Sequence, residues 1–320
     1  MRLMNLPILF AVVASSLSLQ LAPVVGQGRK RQDSKSVPAR NAPPKRTPAA
    51  ASWPVRRPDG QPEVQGIWVT KVYGMSCLTD PTRGVGCFEA QDGPADPNKP
   101  PRKAASRIVD TPDGEIPYQP QARERQKYLL ANYFEPTKPE FLDPQQLCLP
   151  LGPVRQFTWH DVQILQYDGY VLFEHEGGHV YQIVPLDGRS HAGPNLKLWM
   201  GDSRGHWEGN TLVIDVTNNN SKGRLSRAGD FASDKVHITT RIKFIDANNA
   251  RFEAVYDDPS LYTRTWTFGF DLKRAIFGES GPTHDDAHYE PWEEACYEGL
   301  KDIDRSLRTG GPAGADPAQK

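Results

Sequence analysis

Between Arg155 and Asp271 apolar and polar residues alternate in short runs broken by turn-forming residues, the period of half-buried β-strands. "VQILQYDGYVLFEHE" places Asp168-Gly169 between two apolar-rich runs and predicts a tight hairpin. "HVYQIVPLDGR" is a further strand ending at a second Asp-Gly. "KLWMG" precedes "RGHWEGNTLVIDVTN", in which Glu208-Gly209-Asn210-Thr211 reads as a turn and Leu212 to Val216 as a strand. "VHITTRIKFID", "ARFEAVYDDP" and "YTRTWTFGFDL" continue the series, with Asn248-Asn249 turning between the first two. Successive strands joined by short turns predict a mainly β fold, an antiparallel meander closed into a barrel or packed as a sandwich.

The 3.6-residue period is rarer. "QARERQKYLLANY", from Gln121 to Tyr133, predicts one helix with Tyr128, Leu129 and Tyr133 towards the core, stopped by Pro136 and Pro139. "YEPWEEACYEGLKDIDRSL" predicts a second helix after Pro291, before a Gly/Pro/Ala tail. Gly66-Ile67-Trp68-Val69-Thr70 is an isolated strand in an otherwise Pro-rich first part.

Charge divides the chain. Arg29 to Arg57 holds nine Lys/Arg and one Asp, a net of +8; with Arg2, residues 58–320 carry −10 of the total of −1. The acidic folded part argues against a nucleic-acid ligand. The basic stretch is also rich in Pro and Ala and reads as a disordered arm. Before it, Arg2, the apolar run Leu6 to Leu21 and Val24-Val25-Gly26 form a leader-like start, too interrupted by Ser15, Ser16, Ser18 and Gln20 for a lasting membrane span. The expected organisation is a signal peptide over 1–26, an arm over 27–60, one β-rich domain over 61–305 and a tail over 306–320. The expected location is outside the cytoplasm, periplasmic or extracellular. Four cysteines in an exported chain predict disulfides. Local pairing gives Cys77 with Cys87 and Cys148 with Cys296, and two other connectivities exist.

Two strings imitate catalytic motifs. His175-Glu176-Gly177-Gly178-His179 is a literal H-E-x-x-H, but zinc geometry needs a helix, and the central Gly-Gly costs about 2 kcal/mol of helix propensity. Flanked by "YVLFE" and "VYQIV", it predicts a hairpin tip. With a two-residue loop Glu176 pairs with His179, His175 pairs with Val180, and the two imidazoles point to opposite faces. Gly201-Asp202-Ser203-Arg204-Gly205 matches G-x-S-x-G, yet a turn and another strand follow it where a nucleophile elbow needs a helix. No metal site and no cofactor are expected.

Polar residues concentrate instead in two neighbouring loops, Asp187–His191 and Asp202–Glu208. Histidine exchanges protons near neutral pH, so His191 and His237 are the candidate acid/base groups, with Glu174, Asp187 or Asp202 to orient them. Arg189 and Arg204 offer planar forks for an anion. Trp207, Glu208 and Tyr181 complete the candidate binding set. Tyr167, Tyr170, Tyr181, Trp199 and Trp266 are candidates to line a barrel interior. The competing reading is that Asp187, Arg189, Asp202 and Arg204 form ion pairs that pin loops.

At this cluster a resemblance emerges. "CLPLGPVR", "DGRSH", "GDSRGHWEGNTLVIDVT", "SDKVH", "DDPSLYTRTW" and "EEACYE" resemble the motif string of a family of exported bacterial proteins of unknown function, over roughly Gly66 to Glu298. Asn210, Thr265 and Pro153-Val154 depart from its pattern. The resemblance implies an exported β-rich fold and a recurring Asp-Gly-Arg-x-His loop, and it implies Cys148 and Cys296 as partners. Gly66-Ile67-Trp68 and the meander also resemble lipocalin-like barrels, in which about eight strands hold one small ligand. The expected function is an exported barrel-like protein binding a small, partly apolar ligand at a polar loop rim. The alternatives are a metal-independent hydrolase, lyase or isomerase using His/carboxylate chemistry, and an envelope interaction protein with a protein partner.

Overall fold

A computed structural model describes residues 53–70, 78, 106–133, 136–147, 149–158, 161–226 and 229–275. All fall within the compact unit Ala49–Lys320; the leader, most of the arm, the expected C-terminal helix and the tail lie outside the described residues.

The described strands are β1 (Gly66–Thr70), β2 (Val162–Tyr167), β3 (Tyr170–His175), β4 (Val180–Pro185), β5 (Asp202–Glu208), β6 (Thr211–Thr217), β7 (His237–Phe244), β8 (Asn249–Asp257) and β9 (Trp266–Arg274). One α-helix, α1 (Pro120–Ala131), accompanies them. The strands form one antiparallel sheet in the order β4-β3-β2-β1-β9-β8-β7-β6-β5. Nine strands of alternating direction leave the two end strands running the same way. β4 and β5 meet in that sense: Gln182 Nε2 donates to Ser203 Oγ at 3.0 Å, and two residues on Val184 lies against Gly205. A Cβ on Gly205 would stand 2.5 Å from Val184 Cγ1, so only glycine lets the seam close. The result is a near-closed barrel, with one strand more than the expected eight.

Alternation decides what fills it. Val171, Phe173, Leu212, Ile214, Ile238, Ile242, Phe252, Ala254, Phe270 and Leu272 are all buried at every second position of their strands. Rings touch across the interior: Phe157 with Phe173 at 5.0 Å, Phe157 with Phe252 at 4.9 Å, and Phe252 with Phe270 at 4.5 Å. Of the aromatics expected to line a cavity, Trp266 faces this core, stacked on Tyr256 at 4.4 Å. Tyr167 and Tyr181 face outward and are exposed.

Local expectations hold where turn chemistry is strong. Asp168-Gly169 joins β2 to β3 with Tyr167 opposite Tyr170, and Gly169 takes the left-handed conformation (φ 82°). His175 pairs with Val180 as predicted. Glu176 does not pair with His179: it leaves the ladder in a helical conformation, its N–H bonded to Asp161 O, and Gly177–His179 forms a 3-10 turn. "KLWMG" is not a strand; Leu198 makes a single parallel bridge to Asn219. In α1 the buried positions are Ala122, Gln126 and Leu129, while Tyr128 is exposed. Tyr128 and Leu129, about 100° apart on the helix, cannot share its buried face.

The disulfide expectation is corrected. No disulfide is present among the described residues, and Cys77, Cys87, Cys148 and Cys296 all lie outside them. The described barrel is held by its ladders and its aromatic core. None of its helices is long and apolar enough to cross a membrane.

Candidate functional site

Because β4 and β5 are parallel, the chain from Leu186 to Gly201 must climb back along the barrel to begin β5. That connector carries the Asp187–His191 loop over the outer face of β5 and β6. Alternation turns Ser203 and Gly205 inward and Asp202 and Arg204 outward. On β6 it turns Asp215 outward, opposite Arg204, and on β7 it exposes His237.

These side chains form one continuous polar chain. Arg204 Nη1 donates to Asp202 Oδ1 at 2.6 Å, and Arg204 Nε donates to Ser190 O at 3.0 Å. Asp202 Oδ2 accepts the Ala192 N–H at 2.7 Å and lies 3.0 Å from His191 Nδ1. His191 Nε2 is 2.6 Å from Asp215 Oδ1, and Asp215 Oδ2 bonds His237 Nε2. Burial works against the Asp202 carboxylate, but the Ala192 N–H, His191 and Arg204 outweigh it and hold its pKa below the ordinary value. Of the residues named from sequence, His191, His237, Asp202 and Arg204 come together. Asp215, the carboxylate between the two histidines, enters the sequence reading only as one of several residues, with Asp257, His237 and His284, able to complete a triad with Ser203, and not as a member of the polar-loop site. It sits mid-strand in "LVIDV", where nothing local distinguishes it from a solvent-facing acid.

The other candidates are elsewhere. Asp187 and Arg189 pair with each other on the surface, and the guanidinium holds the Asp187 pKa down to about 2. Glu174 lies on β3 between Gln163 and Tyr181. Glu208 takes His206 at 3.1 Å and an ion pair from Arg241, which lowers its pKa. Trp207 turns inward against Phe244, and its Nε1 donates to Gln61 Oε1 at 2.9 Å. Ser203 is buried beneath Gln182, so the G-x-S-x-G string presents no nucleophile to solvent. Among the described residues no group of three His, Cys, Asp or Glu side chains is set to hold a metal.

What can this chain do? Both nitrogens of His191 face carboxylate oxygens, so it ties the connector to β5 and β6 and has no ring atom left for a substrate. The arrangement pins the connector to the outer face of the strands, through His191 and Asp215 as well as the Asp202–Arg204 pair. Asp202→Ala is expected to cost about 2 kcal/mol of stability, the range for removing a charged hydrogen-bond partner. It should also speed amide hydrogen exchange at Ala192; unchanged exchange there would refute the pin.

The far end of the same connector borders a different feature, a groove of about 620 Å³. Trp199 forms one wall, Pro139, Leu142, Pro144, Leu147 and Leu149 another, and Phe231, Ala232 and Ser233 a third. The run Asn218-Asn219-Asn220 leads into Ser221 and Lys222, which line the groove. Asn218 and Ser221 adopt left-handed conformations (φ 59° each), which asparagine tolerates better than most residues. Asn218 Nδ2 reaches Ala192 O at 3.0 Å, and Asn220 Oδ1 accepts the Lys222 N–H at 3.0 Å. The turn thus delivers Lys222 and Arg224 to the groove. Its residues come from five separated segments without strong periodicity, so no sequence signal marked it. Scanning the chain against protein-family models gives no match, and a search of curated proteins finds no similar one.

Proposed function

We propose that this protein binds a small, partly apolar molecule in the groove beside Trp199, and does so outside the cytoplasm. The observation that carries the reading is the groove itself. Its volume lies within the range of about 300–1,000 Å³ usual for small-molecule sites, and it joins a tryptophan wall and leucines to a few polar groups. Among the described residues, aromatic rings meet across the barrel interior, which favours the groove over the interior as the site. The ligand therefore sits at the barrel's end rather than inside a lipocalin-like calyx, and at a rim made by Trp199 and Lys222 rather than by Asp187–His191. The leader-like start and the resemblance to exported bacterial proteins support the location. The acid–base alternative retains His237, but His191 is fully engaged by Asp202 and Asp215.

A thermal-shift panel of neutral, anionic and cationic naphthalene derivatives tests the reading. At least one is expected to raise Tm in the native chain, by a shift abolished in Trp199→Ala. A panel without any shift, or one that shifts both proteins alike, would dismiss it.

A further inference from the structure

The charges around the groove say what kind of molecule it takes. Arg125, Lys222 and Arg224 supply three cations, against Glu140 and Asp234. The two carboxylates are already engaged. Glu140 accepts Arg125 Nη2 at 2.7 Å, and Asp234 lies 3.7 Å from Lys197, outside the groove. Among the described residues no carboxylate lies within ion-pair distance of Lys222 or Arg224, although Asp143 and Glu140 act on Arg224 from further away. Arg224 donates one bond, from Nη2 to Glu140 O at 2.7 Å, leaving most of its five N–H donors unassigned. It is half-buried, and burial lowers its pKa against the opposing pull of the Asp143 carboxylate. Lys222 is exposed, with Nζ 5.9 Å from the centre of the Trp199 ring.

Resting on the binding reading above, we infer that the groove's ligand is a flat, apolar molecule bearing a carboxylate. Its body packs against Trp199 and the leucines, and its carboxylate bridges Lys222 and Arg224. A guanidinium fork matches a planar carboxylate with two parallel bonds, and such charge-assisted bonds are about twice as strong as neutral ones. A cationic ligand would be repelled by Lys222 and Arg224; a neutral one would form an ion pair with neither.

The probes are 2-naphthoate and 2-naphthamide, equal in shape and different in charge, titrated into the full chain and followed by calorimetry. The acid is expected to bind about tenfold more tightly than the amide, by a margin that shrinks with salt. In Lys222→Met, at an exposed position that leaves the fold intact, the acid should fall towards the affinity of the amide while the amide is unchanged. Equal binding of acid and amide would overturn the carboxylate inference and leave groove binding standing. An acid affinity untouched by Lys222→Met would also overturn it. Binding of neither probe would overturn both the inference and the reading on which it rests.

Discussion

Replacing His175 by phenylalanine is expected to make the protein more stable relative to the native chain as the pH falls, by about 3 kcal/mol between pH 7.5 and 4.5. His175 is inward-facing at the end of β3 and buried. Phe157 stands edge-on at 4.7 Å, Phe173 is near, and neither ring nitrogen has a hydrogen-bond partner. Burial pushes its pKa from 6.5 down to about 3. The folded protein therefore refuses a proton that the unfolded chain accepts below pH 6.5. Stability from this group is complete above pH 6.5, falls as the pH drops, and is fully lost near pH 3. Between pH 7.5 and 4.5 the loss spans two pH units, worth about 3 kcal/mol. Urea unfolding at both pH values should show the native chain losing that much more than His175→Phe. At pH 7.5 the variant should be no less stable, because it removes two unsatisfied polar atoms from the core. Parallel pH profiles for the two proteins would mean that His175 does not carry the acid sensitivity.

Asp230→Asn should act in the same window with the opposite sign. The Asp230 carboxyl is buried, with Ser226 Oγ donating at 2.5 Å and Tyr118 OH at 3.3 Å. Burial raises its pKa from 3.8 to about 6, against the pull of Ser226, Arg123 and Tyr118. Here the folded state holds the proton longer than the unfolded chain. Stability is greatest below pH 3.8, declines as the pH rises to 6, and stays low above it. The deficit at neutral pH is about 3 kcal/mol. Asparagine mimics the protonated acid, so the variant should match the native chain near pH 4 and exceed it progressively up to pH 6. Tyr118 can still donate to the amide oxygen, and Ser226 can turn to accept. Urea titrations at pH 4, 5, 6 and 7.5 measure the difference; a pH-independent difference would place the charged form of Asp230 at no disadvantage. His175 and Asp230 largely offset one another between pH 6 and 4.5, so the native profile conceals both until one is removed.

The sequence by itself determined the parts whose physics is local. Alternation fixed which face of each strand is apolar, and Asp168-Gly169 fixed the β2–β3 turn because glycine alone adopts its left-handed step without strain. Gly177-Gly178 was enough to reject a zinc helix and to set His175 opposite Val180. Only the tertiary structure decided the rest. Nine alternating strands force a parallel seam, and that seam forces a connector that climbs back over the outer face. It is this climb that lays His191 between Asp202 and Asp215, with His237 beyond, although the four residues belong to a connector and three strands. The groove depends still more on assembly, since Trp199, Lys222, Arg224 and the wall of Pro139, Leu142, Pro144 and Leu147 share no periodicity. Whether a buried histidine finds a partner, or a surface arginine an anion, depends on distances between segments far apart in the chain. Those distances are set by closure of the barrel and packing of its core, and neighbouring residues do not encode them.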